Sequence, residues 1–286
     1  MIPAAFEYTR ASSVEEALAI LASDEGAKVV AGGQSLLPLM KLRLAQPARL
    51  VDIGRLPELR GISRLDDGRL SVGALTTYAE LLDSPVMHYG VMKDVLPGIA
   101  DIQVRNRGTV GGAVAHADPA ADLPAALLAL DAEAVVQSAA GTRTIRVDGF
   151  FQGAFTTSLG HDELVAAVIL PAPRDDAGSA YASLEQRASG YPIAGIAAVV
   201  ILGAGGMVEW AGVGVTGVSD HPYRARDVEN ALVGTTGSAE AVAAAASLVV
   251  GAREVNADIH AGREYRAAMA VVHARRAIEA ALARAR

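Results

Sequence analysis

The chain contains no cysteine, and only Lys28, Lys41 and Lys93 among its 25 basic residues are lysine. The first absence is the more restrictive one. Without a thiol there is no disulfide, no cysteine nucleophile, no cysteine-bound zinc and no iron–sulfur cluster ligated by this chain. The scarcity of lysine is a compositional bias and assigns no function. Aromatic residues are also rare, at 4% against a hydrophobic share of 51% that alanine dominates, so large core side chains are fewer than the apolar total implies. No apolar run approaches the about 18 residues of a membrane span. The opening MIPAAFEYTR lacks the apolar region of a signal peptide, so a cytoplasmic protein is expected. The net charge of −7, with both signs interspersed, argues against a nucleic-acid surface. His88, His116, His161, His221, His260 and His273 are scattered, with no H-x-x-x-H or H-E-x-x-H pair. No metal site is expected from them, and each reads as a surface or locally bonded side chain.

A length of 286 residues accommodates one large domain or two. SSVEEALAILAS (12–23) reads as a helix capped by Ser12 or Ser13, and AKVVAG as a strand that enters a glycine turn. ARLVDIGRL and RLSVGAL read as strands, the second introduced by the turn Asp66-Asp67-Gly68; TTYAELLDS reads as a short helix with threonine caps. Residues 133–147 alternate as paired strands around Ala140-Gly141, and ELVAAVILPAP closes the first half. PRDDAGSA (173–180) is polar and turn-rich, a candidate boundary, giving expected domains at 1–173 and 174–286. Beyond it a strand meander precedes two helices, SAEAVAAAASLVV and REYRAAMAVVHARRAIEAALARA.

Two glycine clusters carry the chemical interest. In VVAGGQSLLPLMKLRL (29–44) adjacent glycines sit where a strand hands over to a helix. That arrangement fits a tight turn with Ser35 as N-cap, and it equally fits a cradle for a phosphate at a helix start. The second cluster, Gly108-Thr109-Val110-Gly111-Gly112-Ala113, is followed by Asp118 and Asp122. Either aspartate is a candidate acceptor for sugar or ribityl hydroxyls, or simply a turn-former at Asp118-Pro119 and a cap for the helix DLPAALLAL. VVILGAGG (199–206) imitates a dinucleotide fingerprint, but Val208 replaces the third glycine and strand-like alternation follows, so a hairpin turn is expected there. Leu37 removes the nucleophile-elbow reading of Gly33-Gln34-Ser35. No catalytic acid, base or nucleophile is assigned.

AGGQSLLPLMKLRL together with RGTVGGAVAHADPAADLPA resembles the flavoprotein (medium) subunit of the molybdenum hydroxylases, in particular the aerobic carbon monoxide dehydrogenase type. The opening MIPAAFEYTR and the C-terminal EYRAAMAVVHARRAIEAA fit the same family, so the resemblance spans nearly the whole chain. It implies an α+β protein: a two-domain FAD-binding fold of the vanillyl-alcohol-oxidase-like type, followed by a smaller sheet-plus-helix domain. It also implies FAD as cofactor, with Ala31, Gly32, Gly33, Gln34, Ser35 and Leu36 as the first loop around the pyrophosphate. Thr109, Val110, Gly111, Gly112 and Ala113 match the second loop, Asp122 an aspartate near the polar tail of the flavin, and Tyr191 a tyrosine beside the isoalloxazine ring. The implied partners are a large molybdenum-cofactor subunit and a small [2Fe–2S] subunit, in a dimer of heterotrimers. This sequence departs from the family at Ala113, where asparagine or serine is usual, and at Ser183, Gln186 and Gly190, where relatives often carry lysine, arginine and aspartate; Pro192 is also unusual. Two other classes remain: a self-sufficient FAD-dependent oxidase or dehydrogenase, which needs its own substrate pocket and base, and a non-catalytic binding protein, in which the two loops are mere turns. Valine at Gly32 or Gly111 is expected to expel the cofactor with only modest damage to the fold.

Overall fold

In the computed structural model, which describes residues 2–285, three larger sheets follow one another along the chain, with a small two-stranded sheet of Phe151–Gly153 and Thr156–Thr157 beside them. The first is parallel, with Arg49–Asp52 between Glu7–Arg10 and Ala27–Val30. The helix Val14–Ser23 covers it through Val14, Ala17, Leu18 and Leu21. Its N-cap is Ser13, whose hydroxyl accepts from the Glu16 amide at 3.2 Å. The second sheet is antiparallel, in the order Ile62–Arg64, Leu70–Gly73, Leu164–Leu170, Glu133–Ser138, Gly141–Arg146. As expected, Gly68 supplies the positive φ of the turn before Leu70, and Ser138 faces Gly141 across the later hairpin. Thr77 and Glu80 form a reciprocal capping box on the helix Tyr78–Leu82.

The third sheet is the expected meander: Ala177–Glu185, Pro192–Leu202, Val208–Thr216, Tyr223–Arg224. Residues 171–176 connect it to the second sheet, so the polar segment is shorter than its composition indicates; Ala177 already pairs with Ile201. Alternate residues along its central strand serve two different cores. Ala194, Ile196, Ala198 and Val200 pack with the terminal helix Arg263–Arg284, while Ala197 and Val199 join the core around the helix Asp122–Ala129. At Gly212 and Gly214 a Cβ would lie 2.1 and 2.0 Å from the carbonyl oxygens of Ala129 and Ala125, so the helix rests directly on the strand. That close seat fixes where Asp122, at the first turn of the helix, stands relative to the third sheet.

Buried charges are paired across the same junction. Arg224, 2% exposed, bonds Asp131 at 2.5 Å and Glu229 at 2.6 Å. His273 corrects the expectation of surface histidines: it lies on the buried face of the terminal helix with Ala270, Ala274 and Ala277, and burial holds its pKa below the ordinary value. Among the described residues no helix is long and apolar enough to cross a membrane.

Candidate functional site: a cleft between two glycine loops

The strand Ala27–Val30 runs into Ala31–Ser35 and then the helix Leu36–Lys41. Ser35 occupies the N-cap position but its hydroxyl makes no capping bond. Gly33 has φ +74°, a left-handed conformation that favours glycine. None of the amides of Gly32, Gly33, Gln34, Ser35 and Leu36 donates to a protein acceptor among the described residues. A run of unpaired N–H groups through a left-handed turn is the backbone geometry of an anion nest.

The second loop uses its amides internally. Thr109 caps the helix Val110–His116, its hydroxyl accepting from the Gly112 amide at 3.1 Å. Val110 donates to the Thr76 carbonyl at 3.0 Å, Gly111 to Ala74 at 2.8 Å and Ala113 to Thr109 at 3.0 Å. Its glycines serve close approach instead. A Cβ on Gly111 would sit 2.4 Å from that of Ala74, and one on Gly112 would sit 2.7 Å from the Thr109 hydroxyl. The two loops also touch: a Cβ on Gly32 would fall 1.9 Å from the Arg107 carbonyl oxygen. This overturns the expectation that valine at Gly32 or Gly111 spares the fold, because both positions face protein backbone at less than contact distance.

A cleft of about 1380 Å³ opens between these loops and extends to the turn 186–191 of the third sheet. Ala31, Gly32, Gly33, Gln34, Ser35, Leu36, Thr109, Gly111, Gly112, Ala113, Asp122 and Tyr191 all line it. Val110 does not; its side chain is 2% exposed and belongs to the core. Asp118 is a turn-former, accepting from the Ala120 amide at 2.9 Å. Asp122 is not the helix cap, which falls at Ala121 without a side-chain bond. Its carboxylate instead accepts from the Tyr181 hydroxyl at 2.6 Å. Burial pushes the Asp122 pKa up to about 6; the Tyr181 bond opposes that rise, while repulsion from Glu185 and Asp118 adds to it. Tyr191 stands at the rim, 47% exposed, with its phenol pKa raised by burial and then by Asp118 and Asp122.

Sequence reasoning missed several lining residues. Lys28 and Arg187 bring positive charge, and the His116 ring lies tilted against Phe155 with centroids 5.1 Å apart, its pKa lowered by burial. Arg187 neighbours the departure at Gln186, so a cation remains at that end of the cleft. Tyr181 carried no local signal; it meets Asp122 only through the packing of sheet on helix. The hairpin reading of Gly203–Gly206 holds: this turn joins Pro192–Leu202 to Val208–Thr216, away from the cleft. A long cleft with free amides and two cations, Lys28 and Arg187, suits a phosphate-bearing cofactor, and the residues present fit FAD on these grounds.

Comparison with known proteins agrees with this geometry. Residues 4–173 match the FAD binding domain in molybdopterin dehydrogenase, and residues 179–281 match the CO dehydrogenase flavoprotein C-terminal domain. The chain is 39% identical to the carbon monoxide dehydrogenase medium chain of Hydrogenophaga pseudoflava, covering 99% of each. It is 38% identical to the 6-hydroxypseudooxynicotine dehydrogenase complex subunit alpha of Paenarthrobacter nicotinovorans, covering 100% of this chain and 97% of the relative. Among solved structures, carbon monoxide dehydrogenase from Hydrogenophaga pseudoflava superposes with a TM-score of 0.95 at 41% identity over 99% of both chains. Quinoline 2-oxidoreductase from Pseudomonas putida 86 gives 0.90 at 34% identity, again over 99% of both. The chain therefore belongs to the FAD-binding flavoprotein subunits of the molybdopterin dehydrogenases, of the carbon monoxide dehydrogenase type, and is an oxidoreductase component with FAD as its cofactor.

Proposed function

We propose that this chain is the electron-transfer subunit of a three-component molybdenum hydroxylase, built as a dimer of heterotrimers. In this reading a large partner oxidises the substrate at its molybdenum cofactor, and a small partner with [2Fe–2S] clusters relays the electrons here. FAD, when bound, supplies the redox chemistry that links those clusters to an external acceptor. The carrying observation is the single cleft of about 1380 Å³ that both glycine loops line and that reaches Tyr191. Residues 1–173 act as the FAD-binding domain and 174–286 as the C-terminal flavoprotein domain.

Within the cleft, the amides of Gly32 to Leu36 hold the diphosphate, with the Lys28 and Arg187 side chains adding positive charge. Thr109, Gly111, Gly112 and Ala113 form the opposing wall, and Val110 anchors that wall in the core. Asp122 accepts a hydrogen bond from a cofactor hydroxyl, and Tyr191 flanks the ring. No residue of this chain acts as acid or base on the substrate. Anaerobic spectroscopy tests this with carbon monoxide, an aldehyde, a purine and an N-heterocycle, each added to the isolated subunit and to the assembled complex. Flavin bleaching is expected with one of them, only in the complex, and not after molybdenum is removed. Bleaching of the isolated subunit at a comparable rate would contradict the relay role.

A further inference from the structure

Asp122 belongs to the first domain and Tyr181 to the third sheet, 59 residues further along the chain, yet their side chains meet at 2.6 Å on the cleft wall. The meeting is built from several sides. The neighbouring strand has Gly195 where the phenol lies; a Cβ there would be 2.1 Å from the Tyr181 hydroxyl. Thr216, fully buried on the next strand, places its hydroxyl 2.8 Å from the Ala121 carbonyl oxygen and 3.0 Å from that of Pro119. The Gly217 amide also donates to Pro119, at 2.7 Å. The Tyr181 amide is held by Asp94 at 3.0 Å. The third sheet thus fixes both the backbone that leads into Asp122 and one oxygen of its carboxylate. The other oxygen, Oδ2, receives no bond from another residue among those described.

We propose that Tyr181 is a positioning residue for the flavin: by holding Oδ1 of Asp122 it fixes the carboxylate so that Oδ2 accepts a hydrogen bond from a hydroxyl of FAD. The inference rests on the reading of this cleft as the FAD site. The charged groups acting on Asp122, Glu185 and Asp118, are both acidic, and the phenols of Tyr78, Tyr181 and Tyr191 all feel its charge. The bond from Tyr181, with a smaller contribution from the Asp122 backbone amide, therefore favours the ionised form against burial. Burial raises the Asp122 pKa to about 6 in the protein without FAD. Below that pH the carboxyl gains a proton and ceases to be a pure acceptor, so FAD affinity falls on the acid side. Loss of the Tyr181 hydroxyl removes an interaction that lowers this pKa, which moves the acid limb to higher pH.

The test is titration of FAD into the deflavinated full chain from pH 5 to 9, followed by flavin fluorescence, with circular dichroism to check each variant's fold. Wild type should lose affinity below about pH 6. Tyr181→Phe should shift that loss upward by about half a pH unit or more. Asp122→Asn, which keeps an acceptor for Tyr181, should bind several-fold more weakly at neutral pH and show no acid limb. A Tyr181→Phe midpoint equal to that of wild type, even with uniformly weaker binding, would reduce Tyr181 to a packing residue and overturn the inference. An acid limb that persists in Asp122→Asn would overturn it too, and does so even if Tyr181→Phe fails to fold. Failure of folded wild-type chain to bind FAD at any pH would instead remove the flavin reading of the cleft, and this inference with it.

Discussion

The loop at Gly32-Gly33 leaves five successive amides without protein partners, whereas the loop at Gly111-Gly112 ties those of Val110 to Ala113 to Thr76, Ala74 and Thr109. Gly32-Gly33 lies between a strand and a helix and Gly111-Gly112 in the first turn of the helix Val110–His116, yet both pairs line one cleft. Their glycines are nevertheless there for different reasons. Gly33 supplies a left-handed turn, and the donors around it stay free for a ligand. Gly111 has no room for a side chain, since Ala74 already fills the space. Gly32 combines the two roles by pressing against the Arg107 backbone and so setting the distance between the loops. A glycine motif thus reports two separable properties, available donors and absent volume, and only the first is a ligand site in itself.

Substitutions should pull the two properties apart. Gly111→Val carries the largest expected effect: with Ala74 Cβ 2.4 Å from the new atom, the helix Val110–His116 must move off the strand end. Overpacking of this kind costs about 1–3 kcal/mol or more. The melting temperature of the FAD-free protein should fall, with cofactor loss as a consequence; an unchanged melt would place the glycine's role in ligand contact. Gly33→Ala should reverse the balance. Its backbone strain is roughly 1–2 kcal/mol, but disruption of the nest should weaken FAD by about 10–100-fold, or ~1.4–2.8 kcal/mol. Equilibrium dialysis that finds near-native affinity would contradict the nest.

The two cap positions give a finer contrast. Thr109→Ala removes a real cap and should lower stability by ~1 kcal/mol, readable in urea unfolding of the FAD-free chain. Ser35→Ala removes a hydroxyl that caps nothing, so its unfolding midpoint should stay within about 0.5 kcal/mol of wild type. The smallest effect on FAD binding belongs to Gly205→Val. That turn has φ +75° and open space around it, so the variant should retain FAD fully despite strain of about 1–2 kcal/mol. Loss of FAD from Gly205→Val would mean that the site reaches the third-sheet hairpin.

Local signals in the sequence account for much of the fold. Ser13 with Glu16, Thr77 with Glu80, Asp66-Asp67-Gly68 and the Gly203–Gly206 hairpin each act within a few residues, and their structures follow from their own chemistry. The composition of the cleft was legible for a different reason: two motifs about 80 residues apart are specific only when they occur together. What escaped notice depends on packing between distant segments. Nothing in the vicinity of Tyr181 marks it as the partner of Asp122, and the seat made by Gly212 and Gly214 is needed to bring them together. Ser35 sits in a cap position without capping, and Asp122 begins a helix that it does not cap; both residues line the cleft. Val110 looks like its neighbours in the motif, yet helical geometry turns it inward.

Amide hydrogen exchange of the full chain, with and without FAD, tests the distinction between the loops most directly. Residues 32–36 should exchange rapidly in the FAD-free protein and become protected on binding, because their amides acquire acceptors only then. Residues 110–113 should be protected in both states, since their acceptors are already within the protein. Equal gains of protection in both segments, or none in residues 32–36, would contradict the assignment of the first loop as donor and the second as packed wall.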